Sequence, residues 1–185
     1  MHASVEVQTV SGSVEGIEVA MVQIVPFAPE HASGVVSLIL PIQQVEFGIP
    51  IALEDQPDLV DIPSFYRKGN GNFWVAVDGH AVVGSVALLD IGNHQAALRK
   101  MFVAASHRGR EHRVAKRLLD TLIQWARAHD VRELFLGTTA KFLAAHRFYE
   151  KSGFRDVGRG ELPLSFPVMS VDTRFYRMAI PQNSA

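Results

Sequence analysis

The stretch that decides the fold is "KMFVAASHRGREHRVAKRLLDTLIQWARAH", residues 100–129. An apolar run ends at Val103 and a short polar loop follows. Then Arg108, Arg110, Arg113, Lys116 and Arg117 crowd the start of a helix. Val114, Leu118, Leu122, Ile123 and Ala126 recur at helical intervals, so the segment reads as strand, loop and amphipathic helix over 110–129. A helix N-terminus is already positive, which disfavours cations there. Two readings meet this conflict. The arginines form a solvated face whose stems cover apolar surface, or loop and helix start form an anion site. In the second case the free amides of the first turn point at a phosphate and the arginines add charge-assisted hydrogen bonds. The loop carries neither a Walker sequence nor a G-x-G-x-x-G fingerprint.

Working outward, "NFWVAVDGHAVVGSVALLD" is a hairpin joined at Asp78-Gly79, and "QAALRKMFV" is the next strand. "VAMVQIVPF" (19–27) is a first strand, and "EHASGVVSLILPI" has helical spacing interrupted by Gly34 and Pro41. A short helix is expected around 56–68. Beyond the basic helix, "RELFLGTT" is a buried strand and "KFLAAHRFYEKSG" a second amphipathic helix closed by Gly153. Strands near 154–158 and 171–180 finish the chain. The expectation is a single α/β (α+β) domain over 19–182 behind a flexible leader, 1–18. Its mixed central sheet holds about six to seven strands flanked by helices, with the parallel part around 96–138.

Composition narrows the function. The 185 residues include 18 basic and 19 acidic side chains, a balance that argues against nucleic acid as an electrostatic partner. No cysteine is present, so thiolate chemistry and disulfides are excluded. No apolar run approaches the ~20 residues of a membrane span, and the first residues do not read as a secretory signal. A cytoplasmic protein with no membrane partner is expected. No H-E-x-x-H occurs, and His107 and His112 lie on an irregular segment, so no metal site is expected.

A second constellation joins the first. "AAHRFYEKSGF" sets Ala145 one turn before Tyr149, with Phe148 beside it and Gly153-Phe154 leading into the next strand. With "V-x-x-x-x-R-G-x-x-x-x-V-A-x-x-L-L", it resembles the GCN5-related N-acetyltransferase superfamily. The pattern of Gln or Arg, two residues, Gly, one residue, then Gly or Ala maps onto Arg110, Arg113 and Ala115. The pattern A-x-x-[FL]-Y-x-x-x-G-F matches at Ala145, Phe148, Tyr149, Gly153 and Phe154. The motifs cover roughly 70–158. Two departures stand out: Arg113 occupies a usual glycine position, and Phe142 a usual asparagine position.

The resemblance implies acetyl-coenzyme A as co-substrate and a role for each motif residue. Met101, Phe102 and Val103 would hold the pantetheine arm, with the Met101 N–H as oxyanion donor. Arg108, Gly109, Arg110, Glu111, His112, Arg113, Val114 and Ala115 would hold the pyrophosphate. Ala145 and Phe148 would flank the cofactor, and Tyr149 would donate to the departing thiolate. Many relatives carry a glutamate on the fourth strand, where this chain reads Ala97-Leu98-Arg99-Lys100. Base candidates are therefore Glu46 and Asp90, acting through water, or an amine that arrives neutral; His94 and His146 are further candidates, each reading first as a surface histidine.

The implied activity is transfer of an acetyl group to a primary amine of a small molecule or peptide, by direct attack in a ternary complex. Glu46, Glu54, Asp55 and Asp58 would steer a polyamine-like or lysine-like acceptor, or the last three are helix N-terminal acids. The alternative is a non-catalytic acyl-coenzyme A binding module, and nucleic-acid binding through "HRGREHRVAKR" ranks last. The oligomeric state is left open by the sequence; the resemblance implies that a homodimer, if formed, could use "FYRMAI" (175–180).

Overall fold

The computed structural model describes residues 21–109, 111 and 113–182. The proposed leader and the start of the first expected strand lie outside the described residues, as do Arg110 and His112. The chain opens with β1 (Gln23–Pro26) and α1 (Ala32–Pro41), which runs on into a π-helical turn, Ile42–Glu46. Two short helices follow, α2 (Pro57–Val60) and α3 (Ile62–Tyr66), in place of the one expected over 56–68.

The hairpin forms as β2 (Asn72–Asp78) and β3 (Ala81–Gly92). It reverses at Gly79 and His80, one residue later than expected, because Asp78 itself pairs with Ala81. A second reversal at Asn93 and His94, both at positive φ, joins β4 (Gln95–Val103) in the manner of a type I′ turn. After α4 (Val114–Ala128) the chain returns as β5 (Glu133–Thr138), then α5 (Leu143–Lys151), β6 (Arg155–Val157) and β7 (Arg174–Ala179).

Among the described residues the sheet has seven strands in the order β1-β2-β3-β4-β5-β7-β6. Among these strands β4 and β5 are the parallel pair, in the part of the chain expected to hold it. Within the segment 175–180, Phe175–Arg177 is paired with β5 on one side and β6 on the other, whereas Met178 and Ala179 pair with β5 alone.

The sheet is buried on both faces, and β2 shows how. Trp74 and Ala76 point into the cluster built on Leu118, Leu122 and Ala126 of α4. Phe73 and Val75 point into the one built on Val35 and Ile39 of α1 and Tyr66 of α3. A strand covered on both faces reads as a continuous apolar run, which is what "FWVAV" is. Each fully buried leucine in these layers contributes about 1.5–3 kcal/mol. Trp125 ties α4 to the loop before β2 through its indole N–H, which donates to Asn70 O at 2.8 Å.

Gly34 and Pro41 do not interrupt α1. Gly34 lies inside the helix where it crosses Val82, and a Cβ there would stand 2.7 Å from Val82 Cγ2. Pro41 has no N–H to donate, and the chain beyond it widens by one residue per hydrogen bond, Phe47 N–H reaching Ile42 O at 3.1 Å. This wide turn carries Glu46 and Phe47 out over the sheet.

Candidate active site

β4 and β5 pair only from Gln95–Ala97 with Glu133–Phe135 and then diverge. The wedge between them opens into a cavity of about 900 Å³, floored by Leu98–Val103, with α5 on one side and the wide turn after α1 above it. Separated strands leave backbone donors and acceptors facing the opening, which a ligand lying along β4 can satisfy.

At the basic end, the polar loop forms a single 3-10 turn, Ala105–His107. Arg108 Nε donates to Val103 O at 2.8 Å, while its guanidinium grips both carboxylate oxygens of Glu46, Nη2 to Oε2 at 2.8 Å. Gly109 adopts φ +100° with open space where a Cβ would be. Glu111 is exposed in the following turn.

The helix begins at Val114 rather than 110, because Arg113 caps it in the left-handed region, φ +49°. The usual glycine would take that conformation without strain. Val114 is 1% exposed and its side chain belongs to the core, so only its backbone faces the loop. Arg113, Ala115 and Lys116 line the cavity. Arg113→Gly is expected to raise stability by about 0.5–1 kcal/mol, since left-handed strain at a residue that carries a Cβ exceeds the added flexibility of glycine in the unfolded chain. Acetyl-coenzyme A affinity is expected to fall with the lost cation; melting and calorimetry on the same variant read the two effects separately.

On α5, Ala145, Phe148 and Tyr149 all line the cavity. Tyr149 is 5% exposed and packs against Phe154 and Tyr176. Burial, and after it the neighbouring Tyr176, pushes its phenol well above the ordinary value. Phe142, in the position expected to be polar, meets Phe47 edge-on at 4.3 Å and Phe102 at 6.4 Å. Lys141 Nζ also donates to Phe47 O at 3.1 Å. Together they fasten the wide turn to the start of α5, making a roof.

The base candidates separate. Glu46 lines the cavity, but its hydrogen bond from Arg108 holds the carboxyl below its ordinary value, making it a weak base. Asp90 does not line the cavity; its oxygens accept from Asn70 N and Gly92 N, both at 2.8 Å, and hold the turn before β2. His94 is exposed in the hairpin turn beside Asp130. His146 is no surface residue: it is 4% exposed, with Nε2 3.0 Å from Thr139 O.

Asp172, not foreseen from the sequence, lines the cavity in the loop before β7. Its carboxylate lies flat over β5, where a Cβ at Gly137 would stand 2.4 Å from Oδ2. Burial pushes it above the ordinary carboxylate range, against the opposing hydrogen bond from Met169 N and the Arg99 charge.

The floor carries two further surprises, Arg99 and Lys100. Neighbours on a regular strand face opposite ways. Here Lys100 sits at φ +51° in a bulge, the β3–β4 register shifts between Ser85 and Ala87, and both side chains reach Asp58. Ser85 Oγ donates to the displaced Lys100 carbonyl at 2.7 Å. Asp58 is 3% exposed under Tyr66 OH at 2.5 Å, so it does not steer an incoming amine from the surface. Two adjacent cations in an otherwise apolar strand were the legible signal for this cluster.

The residues fit a phosphate-tailed thioester. The opening is mostly apolar along its length, Ala145 leaves α5 thin where a chain would pass, and Gly109, Arg113 and Lys116 supply amides and charge at one end.

Comparison with known proteins agrees. A model of the acetyltransferase (GNAT) family matches residues 38–154. A GNAT-family acetyltransferase structure from Staphylococcus aureus superposes with a TM-score of 0.83 at 37% identity, over 86% of this chain and 99% of that one. N-acetylaspartate synthetase of Danio rerio is 41% identical over 106 residues, 56% of this chain and 37% of that protein. N-acetyltransferase 8F1 of Rattus norvegicus is 32% identical over 121 residues, 63% of this chain and 54% of that protein. The chain thus spans between about a third and a half of the curated relatives' length.

Proposed function

Because the chain belongs to the acetyltransferase (GNAT) family, we propose that it transfers an acetyl group from acetyl-coenzyme A to the primary amine of a small molecule. The single observation carrying this reading is the wedge between β4 and β5, with a phosphate-suited helix start at one end and Asp172 and Tyr149 along it. Acetyl-coenzyme A supplies the acetyl group in activated, thioester form.

The chain's own groups have three tasks. Backbone along Met101–Val103 and the side chains of Ala145 and Phe148 align the pantetheine arm, and the Met101 N–H donates to the carbonyl oxygen. Gly109, Arg113 and the first amides of α4 hold the phosphates. Asp172 accepts the proton lost as the amine nitrogen bonds to the acetyl carbon and the carbon–sulfur bond breaks. Tyr149 stabilises the departing sulfur by hydrogen bonding. The Arg108–Glu46 clasp fixes the loop entrance rather than moving protons.

Among the described residues no helix is long and apolar enough to cross a membrane. The cavity is roofed at Phe47 and Phe142, which favours a small acceptor over a folded protein tail; the zebrafish relative's name makes amino acids part of the first amine panel. Calorimetry with acetyl-coenzyme A, followed by turnover against amines, tests the proposal. Binding and release of free thiol with an acetylated amine are expected. Binding without transfer to any amine would leave the non-catalytic module as the correct reading.

A further inference from the structure

Arg99 stands apart from the other buried or paired arginines. Its side chain is 15% exposed, yet among the described residues its hydrogen bond goes to a thioether, Met169 Sδ, at 3.3 Å. The nearest carboxylate oxygen, on Asp58, is 3.9 Å away, beyond hydrogen-bond length. Phe65 lies under the guanidinium, 5.9 Å from ring centroid to Cζ. Arg108, Arg132, Arg174 and Arg177 each grip a carboxylate, and Arg67 a carbonyl. Lys100 differs again: its Nζ is held by Gln56 Oε1 at 2.6 Å and by Asp58 at 3.3 Å. A guanidinium has five donors in a planar fork matched to a carboxylate, and a thioether is a weak acceptor.

Arg99 is also next to Asp172. Met169 touches both, its sulfur on Arg99 and its backbone N–H on Asp172 Oδ2 at 2.9 Å. Both charged groups line the same cavity. A cation short of an oxygen partner therefore lies beside a carboxylate that faces the opening. This pair is complementary to a molecule with an ammonium and a carboxylate close together.

We propose that Arg99 is the carboxylate-reading group of the acceptor site, so that the acceptor is an amino acid whose carboxylate lies on Arg99 while its amine lies at Asp172. The inference rests on the acetyl-transfer reading for its chemistry but not for its test. Phe65 beneath and Lys100 alongside hold the guanidinium in place, and Asp58 keeps the two cations from repelling one another apart. A polyamine, expected from the acidic loop, meets Arg99 and Lys100 in the same cavity and is disfavoured.

The test is binding to the protein saturated with coenzyme A, read by calorimetry. The probes are alanine, aspartate and lysine, each beside its α-carboxamide, and spermidine. The acids are expected to bind at least about tenfold more tightly than their amides, the range of a charge-assisted hydrogen bond. Arg99→Gln is expected to erase that ratio without altering coenzyme A affinity or the melting temperature by more than a few degrees. Arg99→Lys, which keeps charge and loses the fork, is expected to retain part of it. Equal binding of acids and amides, tighter spermidine binding, a ratio that survives in Arg99→Gln, or no binding by any acid would each overturn the proposal. Acid binding to that complex, with no acetylated product once acetyl-coenzyme A replaces coenzyme A, would instead count against acetyl transfer alone.

Discussion

Asp172→Asn is expected to lower kcat by about 100-fold or more, the usual contribution of a positioned base. Asparagine keeps an oxygen that can accept from Met169 N–H, which now reaches Asp172 Oδ2 at 2.9 Å, so the loop before β7 retains its shape. What disappears is the proton acceptor. In the wild type the rate should climb with pH until Asp172 ionises. Because burial raises its pKa, that limb lies above the ordinary aspartate value of about 3.9. The variant should lack the limb.

Linkage gives an independent check. A carboxyl that holds its proton more tightly when folded contributes stability at low pH, and loses it as pH rises through the folded pKa. Wild-type melting temperature should therefore fall across the same window in which activity rises. The asparagine variant should show neither trend. A full-rate Asp172→Asn enzyme with an intact pH limb would remove Asp172 from the chemistry.

Tyr149→Phe is expected to reduce kcat by about 10- to 100-fold, the loss of one hydrogen bond to a charged group, with acetyl-coenzyme A affinity changed less than about twofold. The phenol's raised pKa refines its part. A thiol titrates near ~8.5 and a free phenol near ~10, and burial pushes Tyr149 higher still. Complete proton transfer from tyrosine to thiolate is uphill, so Tyr149 keeps its proton and donates a hydrogen bond to the developing charge. It follows that no titration of Tyr149 shapes the pH profile below about pH 10. Phenylalanine preserves the contacts with Phe154 and Tyr176, so a folding defect does not obscure the result. Unchanged kcat would exclude the hydroxyl from the step.

Much of the architecture was legible because its causes are local. The helical spacing of Val114, Leu118, Leu122 and Ala126 is the same spacing that seats α4 on the sheet. Ala145, Phe148 and Tyr149, one turn apart, fall on one face of α5 and meet the cavity together. The start of α4 was misjudged by four residues because propensity does not reveal that Arg113 adopts a left-handed conformation. Asp90 looked available because a carboxylate at a strand end resembles a base in sequence, whereas the fold assigns it two backbone amides.

Sequence by itself determined the order of strands and helices and which residues of α5 share one face, since each depends on periodicity and short spacing, and its two motifs carried the resemblance to the family. Tertiary structure alone decided which charges face one another. Lys100 reaches Gln56 across 44 residues, Arg99 shares its side of the sheet through a one-residue bulge, and Asp172 settles over Gly137 because a glycine there leaves room. A charge in a sequence has a sign but no neighbour, and its pKa, its partner and its use come from the low-dielectric surroundings that only packing creates.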